Sequence, residues 1–248
     1  MKKVFLIAAI AVSTTASAQI GFGAQIGGNL ANVKWEEDNG SGGKDKAKTD
    51  SKFGFLIGAV ANVPIASSLS FRPELNFIQK GAKMDLADVQ DLGGGASSTT
   101  TGKTEITMNF IELPLNIVYS ADAGAGKVYF GAGPSIGFGM SGKYKSSGTN
   151  TTVIPGFPTQ TTPFDNSADI KFDGKKDATD ANVHLKGLDF GANILAGYRM
   201  SNNIFIQLGY AMGFSNLSPE TGSSFKTNGL TLKLGYMFGG SSSSSDDK

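Results

Sequence analysis

An all-β fold, one closed barrel of eight antiparallel strands in up-and-down order, is what three features of this sequence predict. From Ile206 to Phe214 every even position carries a large apolar side chain (Ile206, Leu208, Tyr210, Met212, Phe214), and every odd one is small or polar (Gln207, Gly209, Ala211, Gly213). That is the period-two pattern of a strand with one apolar face. Segments of this kind recur along the chain, and the gaps between them are by turns short and long. No apolar run after residue 18 approaches the about 20 residues of a spanning helix, so a chain of this pattern that enters a bilayer crosses it by strands. Tight turns at one rim and long loops at the other are the plan of a barrel in an outer membrane.

The first 18 residues read as a signal peptide. Lys2 and Lys3 form a basic start, Val4 to Val12 is apolar, and Ala16-Ser17-Ala18 is a small-residue cleavage pattern before Gln19. Residues 19–238 are then the barrel, and 239–248, "GGSSSSSDDK", a flexible polar tail. Without Lys2 and Lys3 the 22 basic residues fall to 20 against 21 acidic ones, a formal charge of −1. Such a balance gives no electrostatic pull toward nucleic acid.

Candidate strands fall at 20–32, 52–63, 68–80, 104–119, 127–144, 184–200, 203–216 and 226–238. The connections are long (33–51), short (64–67), long (81–103), short (120–126), long (145–183), short (201–202) and medium (217–225). If the first strand enters from the periplasm, the long connections are extracellular, as a membrane barrel requires. They are charged ("KWEEDNGSGGKDKAKTD") or rich in Gly, Ser and Thr ("GGGASSTTTG", "SSGTNTTVIPGFPTQTTP"), too poor in apolar residues for a core of their own. The short ones carry turn chemistry: Pro64, "ADAGAG", and Asn202-Asn203, where Asn tolerates left-handed angles.

Parity then assigns faces. Outward fall Phe53, Phe55 and Ile57; Leu69, Phe71, Leu75 and Phe77; Val128, Phe130, Ile136 and Phe138; Leu188, Phe190, Ile194 and Tyr198; Leu230, Leu232, Leu234, Tyr236 and Phe238. This is a lipid-facing band with aromatics near its borders. The fourth strand breaks phase: Ile106, Met108 and Phe110 are even, whereas Ile111, Leu113, Leu115, Ile117 and Tyr119 are odd, so a bulge is expected near Phe110 and Ile111.

The complementary face forms a polar lumen network of Arg72, Glu74, Asn76, Asn109, Glu112, Asn116, Asp189, Asn193, Arg199 and Lys233. Eight strands enclose only enough space for their own side chains, and a balanced set of charges there can pair. Inward glycines of the fifth strand (Gly131, Gly133, Gly137, Gly139) leave room for long arms such as Arg72 or Lys233. The same residues line either a plug or a narrow passive pore.

Catalytic and metal signals are sparse. With no cysteine, disulfides, thiolate chemistry and Cys-ligated metal are excluded. His184, the single histidine, has an even number that puts it on the lipid face near the outer end of the sixth strand, with no Ser or acid at a motif spacing. Asp165, Asp169, Asp173, Asp177 and Asp180 are numerous, yet "DGKKDATD" lacks the alternating-Asp calcium pattern. Gly27-Gly28 lies within a strand, so no phosphate loop is read there. The expectation is a non-enzymatic protein without cofactor or metal.

The segments "AQIGGNLANV", "SLSFRPELNFIQKGAK", "IELPLNIVY", "YFGAGPSIGF" and "KGLDFGANILAGYRM" together resemble the outer-membrane β-barrel domain proteins common in Bacteroidetes, of the porin-family or PorT-like type. The resemblance runs over nearly all of residues 19–238 and implies an eight-stranded outer-membrane barrel. It implies little about activity. Tyr236-x-Phe238 resembles the terminal aromatic signal read by the barrel-assembly machinery. The expected role is structural or surface-interacting, with loops meeting lipopolysaccharide or other proteins. A narrow pore and a soluble lipocalin-like binding barrel are the alternatives; a lipocalin would place its apolar residues inward.

Overall fold

A computed structural model describes residues 20–176 and 179–238. The expected signal peptide, the Ser-rich tail and Asp177 lie outside the described residues. The described residues form eleven strands: β1 (Gly21–Asp38), β2 (Lys44–Lys46), β3 (Asp50–Pro64), β4 (Leu69–Gly93), β5 (Ala96–Ala123), β6 (Gly126–Val153), β7 (Gln160–Lys171), β8 (Val183–His184), β9 (Leu188–Arg199), β10 (Ile204–Gly213) and β11 (Ser223–Phe238). Eight of them close a ring of antiparallel neighbours in the order β1-β3-β4-β5-β6-β9-β10-β11 and back to β1. β2 pairs with β1, β7 with β6, and β8 lies parallel to β7.

Register around the ring fixes its tilt. Stepping across paired residues from Phe53 leads through Leu30, Leu230, Tyr210, Ile194, Ala132, Ile117 and Phe71 to Val63. The path returns to β3 at Val63, ten residues (63 − 53) from its start. With about 3.3 Å per residue and about 4.8 Å between strands, that offset over eight strands tilts them by roughly 40° from the ring axis. Every residue on the path is apolar and faces outward. On β1 the outward apolar stretch runs from Phe22 (59 % exposed) to Leu30 (48 %), the nine-residue length that a tilted strand needs to cross hydrocarbon.

At one end of the ring the connections are short: 65–68, 124–125 and 200–203. In the last, Asn203 adopts φ 67°, its N–H donating to the Met200 carbonyl at 3.0 Å. At the other end β4, β5 and β6 run on past the ring and, with β7, form a projecting sheet. Segment 81–103, expected as a loop, is the tip of a continuous β4–β5 hairpin that turns at 94–95. Its threonines fit extended backbone and meet across strands, Thr100 Oγ1 donating to Asn150 Oδ1 at 2.8 Å. β3 stops pairing with β4 at Asp50–Lys83, so β4 beyond that point pairs with β5 alone.

The expected phase break in the fourth strand is not there. All even positions of β5 from Thr104 to Val118 face inward and are buried. The irregularity lies instead on β6, where Asn109 pairs with Ser141 and Phe110 with Gly139, leaving Met140 as the extra residue. Ile106, Met108 and Phe110 are interior: with Val33, Leu56, Ile78, Ile170, Leu185, Leu217 and Phe225 they fill the loop end. A second apolar cluster, Val60, Val118, Tyr129, Leu195, Phe205 and Met237, fills the turn end. The interior is therefore layered, apolar at both ends and polar between. Val33, Ile170 and Leu217, from segments expected to form no core of their own, enter the upper layer shared with the ring strands.

Candidate functional site

The middle layer is built by the inward parity of β1, β4, β5, β9, β10 and β11, and Glu74 (1 % exposed) is its hub. Gln25 Nε2 donates to Glu74 Oε2 at 2.8 Å and to Asn76 Oδ1 at 2.7 Å. Asn76 Nδ2 reaches Oε2 at 3.2 Å, Gln207 Nε2 reaches Oε1 at 3.2 Å, and the Lys233 ammonium sits 2.5 Å from Oε2. The carboxylate thus meets donors from β1, β4, β10 and β11, which ties opposite walls of the ring together.

A second cluster lies nearer the loop end. Lys80 Nζ is 2.6 Å from Glu112 Oε2 and 3.3 Å from Asp189 Oδ2, and rests 5.0 Å from the centroid of the Phe110 ring. Thr227 Oγ1 donates to Asp189 at 2.7 Å. Toward the turn end the Arg72 guanidinium is sandwiched between the rings of Tyr129 (4.8 Å) and Phe205 (4.7 Å). Space for those rings comes from Gly197 and Gly235, where a Cβ would run into Tyr129 and Phe205 respectively. The room at Gly139 is filled by Phe172, and Gly137 faces Phe110; aromatic rings of the cap, not Arg72 or Lys233, occupy the space those two β6 glycines leave.

Of the residues assigned inward from sequence, Arg72, Glu74, Asn76, Glu112, Asn116 and Asp189 are buried, as is Lys233. Asn193 points inward and donates to the Gly133 carbonyl at 3.0 Å, and Arg199 is half-buried at the turn end. Asn109 is not among them: it faces outward, donating to Ser141 Oγ at 3.1 Å and accepting from Gln79. Lys80, Gln25, Gln207 and Thr227 were missed. The signal for Lys80 and Gln207 was present, since Lys80 shares the parity of Arg72, Glu74 and Asn76 and Gln207 alternates with an apolar face.

The layer is nearly solid. Among Asn76, Glu112, Asn193, Gln207 and Lys233 lies a void of about 20 Å³, room for about one water. Among the described residues, Arg72 Nε and Nη2, both amide atoms of Asn116 and Asp189 Oδ1 have no hydrogen-bond partner.

His184 does not face lipid. It lies in β8, beside the cap, with Nδ1 2.7 Å from Asp173 Oδ1 and Nε2 2.9 Å from Asp180 Oδ1. Those bonds raise the imidazole above its usual range and hold both carboxyls below theirs. With both nitrogens engaged the ring offers no lone pair to a substrate. The arrangement is a clasp across the 173–184 segment. Among the described residues no set of three or more potential ligands is placed to hold a metal ion.

In solved structures the chain is similar to the attachment invasion locus protein Ail of Yersinia pestis, in complex with sucrose octasulfate (13 % identity, 89 % of this chain and 99 % of that one, TM-score 0.34). It is also similar to Neisserial surface protein A (14 %, 88 % and 97 %, 0.37) and the outer membrane protease OmpT of Escherichia coli (11 %, 90 % and 99 %, 0.35). No curated protein matches it in sequence. The profile of the outer membrane protein beta-barrel domain matches residues 13–219, and with an eight-stranded ring, an outward apolar band and a polar interior, the chain belongs to that family of outer-membrane proteins.

Proposed function

We propose that the protein is a non-enzymatic, closed outer-membrane barrel whose projecting sheet and outer connections act as an interaction surface in the lipopolysaccharide layer. The observation that carries this is the layered interior. Apolar clusters at both ends and a cross-linked polar layer between them support a closed interior, so the parts free to act are outside the apolar band. The short-turn end then faces the periplasm and the projecting sheet faces outward, with Tyr236 and Phe238 on the lipid face as the signal for barrel assembly. A cleaved leader over residues 1–18 fits this address.

The outward face of the projecting sheet suits a hydrated setting. Asp50, Lys83, Glu105 and Lys145 alternate in sign on neighbouring strands, a favourable cross-strand pattern. A soluble lipocalin-like barrel would expose Phe22, Phe53, Phe130 and Leu232 to water, each about half exposed or more, which a soluble surface avoids. The narrow-pore reading draws on the partnerless polar atoms of Arg72, Asn116 and Asp189. Planar-bilayer recording separates the two: the refolded chain and its Arg72→Ala variant are expected to be silent. Steady channels in the wild type, abolished by filling the interior void with Gly209→Phe, would make it a pore.

A further inference from the structure

The cap over the polar layer is not solid. Between the edge-packed rings of Trp35 and Phe225 (centroids 6.0 Å apart) and the side chains of Ile106, Ile170 and Leu185 lies a partly open cavity of about 240 Å³. Its walls come from β1, β5, β7, β11 and the segment around β8, so closing the ring and folding the outer connections together create it. Tyr144, Val183 and Pro219 complete its apolar lining.

The polar side chains on the lining are those of Glu37, Glu220, Ser218, Ser223 and His184, and Glu37 Oε1 accepts the Trp35 indole N–H at 3.1 Å. The one group on the lining able to carry positive charge, His184, is saturated by Asp173 and Asp180. Among the described lining residues an anion meets the Glu37 carboxylate and no lysine or arginine.

We propose that this cavity is a binding site for a small aromatic molecule, neutral or cationic, of one or at most two rings. An apolar cavity of about 150 Å³ accepts benzene, so this one is matched to a somewhat larger ring compound. The two bordering rings favour an aromatic guest, which gains offset or edge contacts beyond its area. The site is a dead end, because Phe110 and the Lys80 cluster lie beneath it. It requires neither a pore nor a protein partner.

Trp35 is the only tryptophan in the chain, so its emission reports occupancy directly. Nitrobenzene, 4-nitrobenzylammonium and 4-nitrobenzoate are aromatic quenchers of similar size and different charge. Titrated into the folded protein in detergent, the first two are expected to quench Trp35 saturably at one equivalent, and the benzoate at least tenfold more weakly. Val183→Phe, which fills the cavity, should leave only the linear quenching of probe dissolved in the micelle. If that variant gives no folded band on a cold gel, Ser223→Leu tests the same space from the opposite wall. Linear, equal quenching in the wild type and a folded filled variant would overturn the proposal, as would nitrobenzoate binding as tightly as nitrobenzene. Bilayer conductance reads the closed-barrel proposal separately, so the failure of either is distinguishable.

Discussion

Glu74→Gln is the sharpest perturbation of the interior, because it removes one charge while preserving shape. The carboxylate accepts from Gln25, Asn76, Gln207 and Lys233 at 2.5–3.2 Å and is 1 % exposed. A carboxamide keeps one acceptor oxygen and replaces the other with a donor, so Gln25 or Gln207 then faces N–H against N–H. Lys233, 7 % exposed, loses its counter-charge. Breaking one side of a buried pair costs about 3–5 kcal/mol. At a guanidinium slope of about 4 kcal/mol/M, the midpoint should fall by about 1 M. The assay is reversible unfolding from lipid vesicles, followed by far-ultraviolet circular dichroism and by the folded band on cold gels. Adding Lys233→Met to Glu74→Gln removes the orphaned charge and should recover at least about 2 kcal/mol. A drop below about 1 kcal/mol in the single variant, or a double variant as weak as the two singles added, would refute the idea that this pair holds the walls together.

The clasp and the lipid face give two further outcomes. The His184 contribution is complete below about pH 6.5 and is lost as pH rises through its raised value; those of Asp173 and Asp180 are complete above about pH 4 and are lost as pH falls through their lowered values. Tryptic cleavage at Lys175 in His184→Asn, relative to wild type, should therefore be most accelerated between about pH 4 and 6.5 and approach parity at alkaline pH. A ratio flat from pH 5 to 9 would remove the clasp. Leu232, outward between Gly28 and Leu208, should cost about 2–4 kcal/mol on change to Arg in a bilayer, whereas Thr151→Arg in the projecting sheet should stay within about 0.5 kcal/mol. Equal costs would deny that the band meets lipid.

The outward face was legible because lipid leaves one unbroken signal: Leu230 to Phe238 and Ile206 to Met212 read as apolar on alternate residues, and each is exposed in the structure. The inner face was legible only where it is polar. At Ile106, Met108 and Phe110 the apolar cap produces the same alternation as lipid contact, so the phase was inverted and Asn109 was placed inside. Pattern alone cannot tell an apolar interior from a bilayer. His184 was misread for a related reason, since parity was carried from β9 across residues 185–187, where no strand continues. The projecting hairpin escaped notice because its Thr and Ser ladders pair through polar side chains, and low apolar content was read as irregular chain. The β6 glycines marked close approach correctly in kind but not in occupant, which is a tertiary matter.

One edge of the projecting sheet bears on how these molecules crowd in a membrane. Beyond Lys83, β4 has a row of backbone donors and acceptors that no neighbour occupies among the described residues, the kind of edge that invites a second chain. Asp85, Asp88 and Asp91 lie along it, all exposed and spaced by three. Two copies meeting edge to edge about a twofold axis at Asp88 would set Asp85 against Asp91 and Asp88 against itself. Three like-charged contacts in one ladder oppose that union, so densely packed copies can stand side by side without their outer sheets joining.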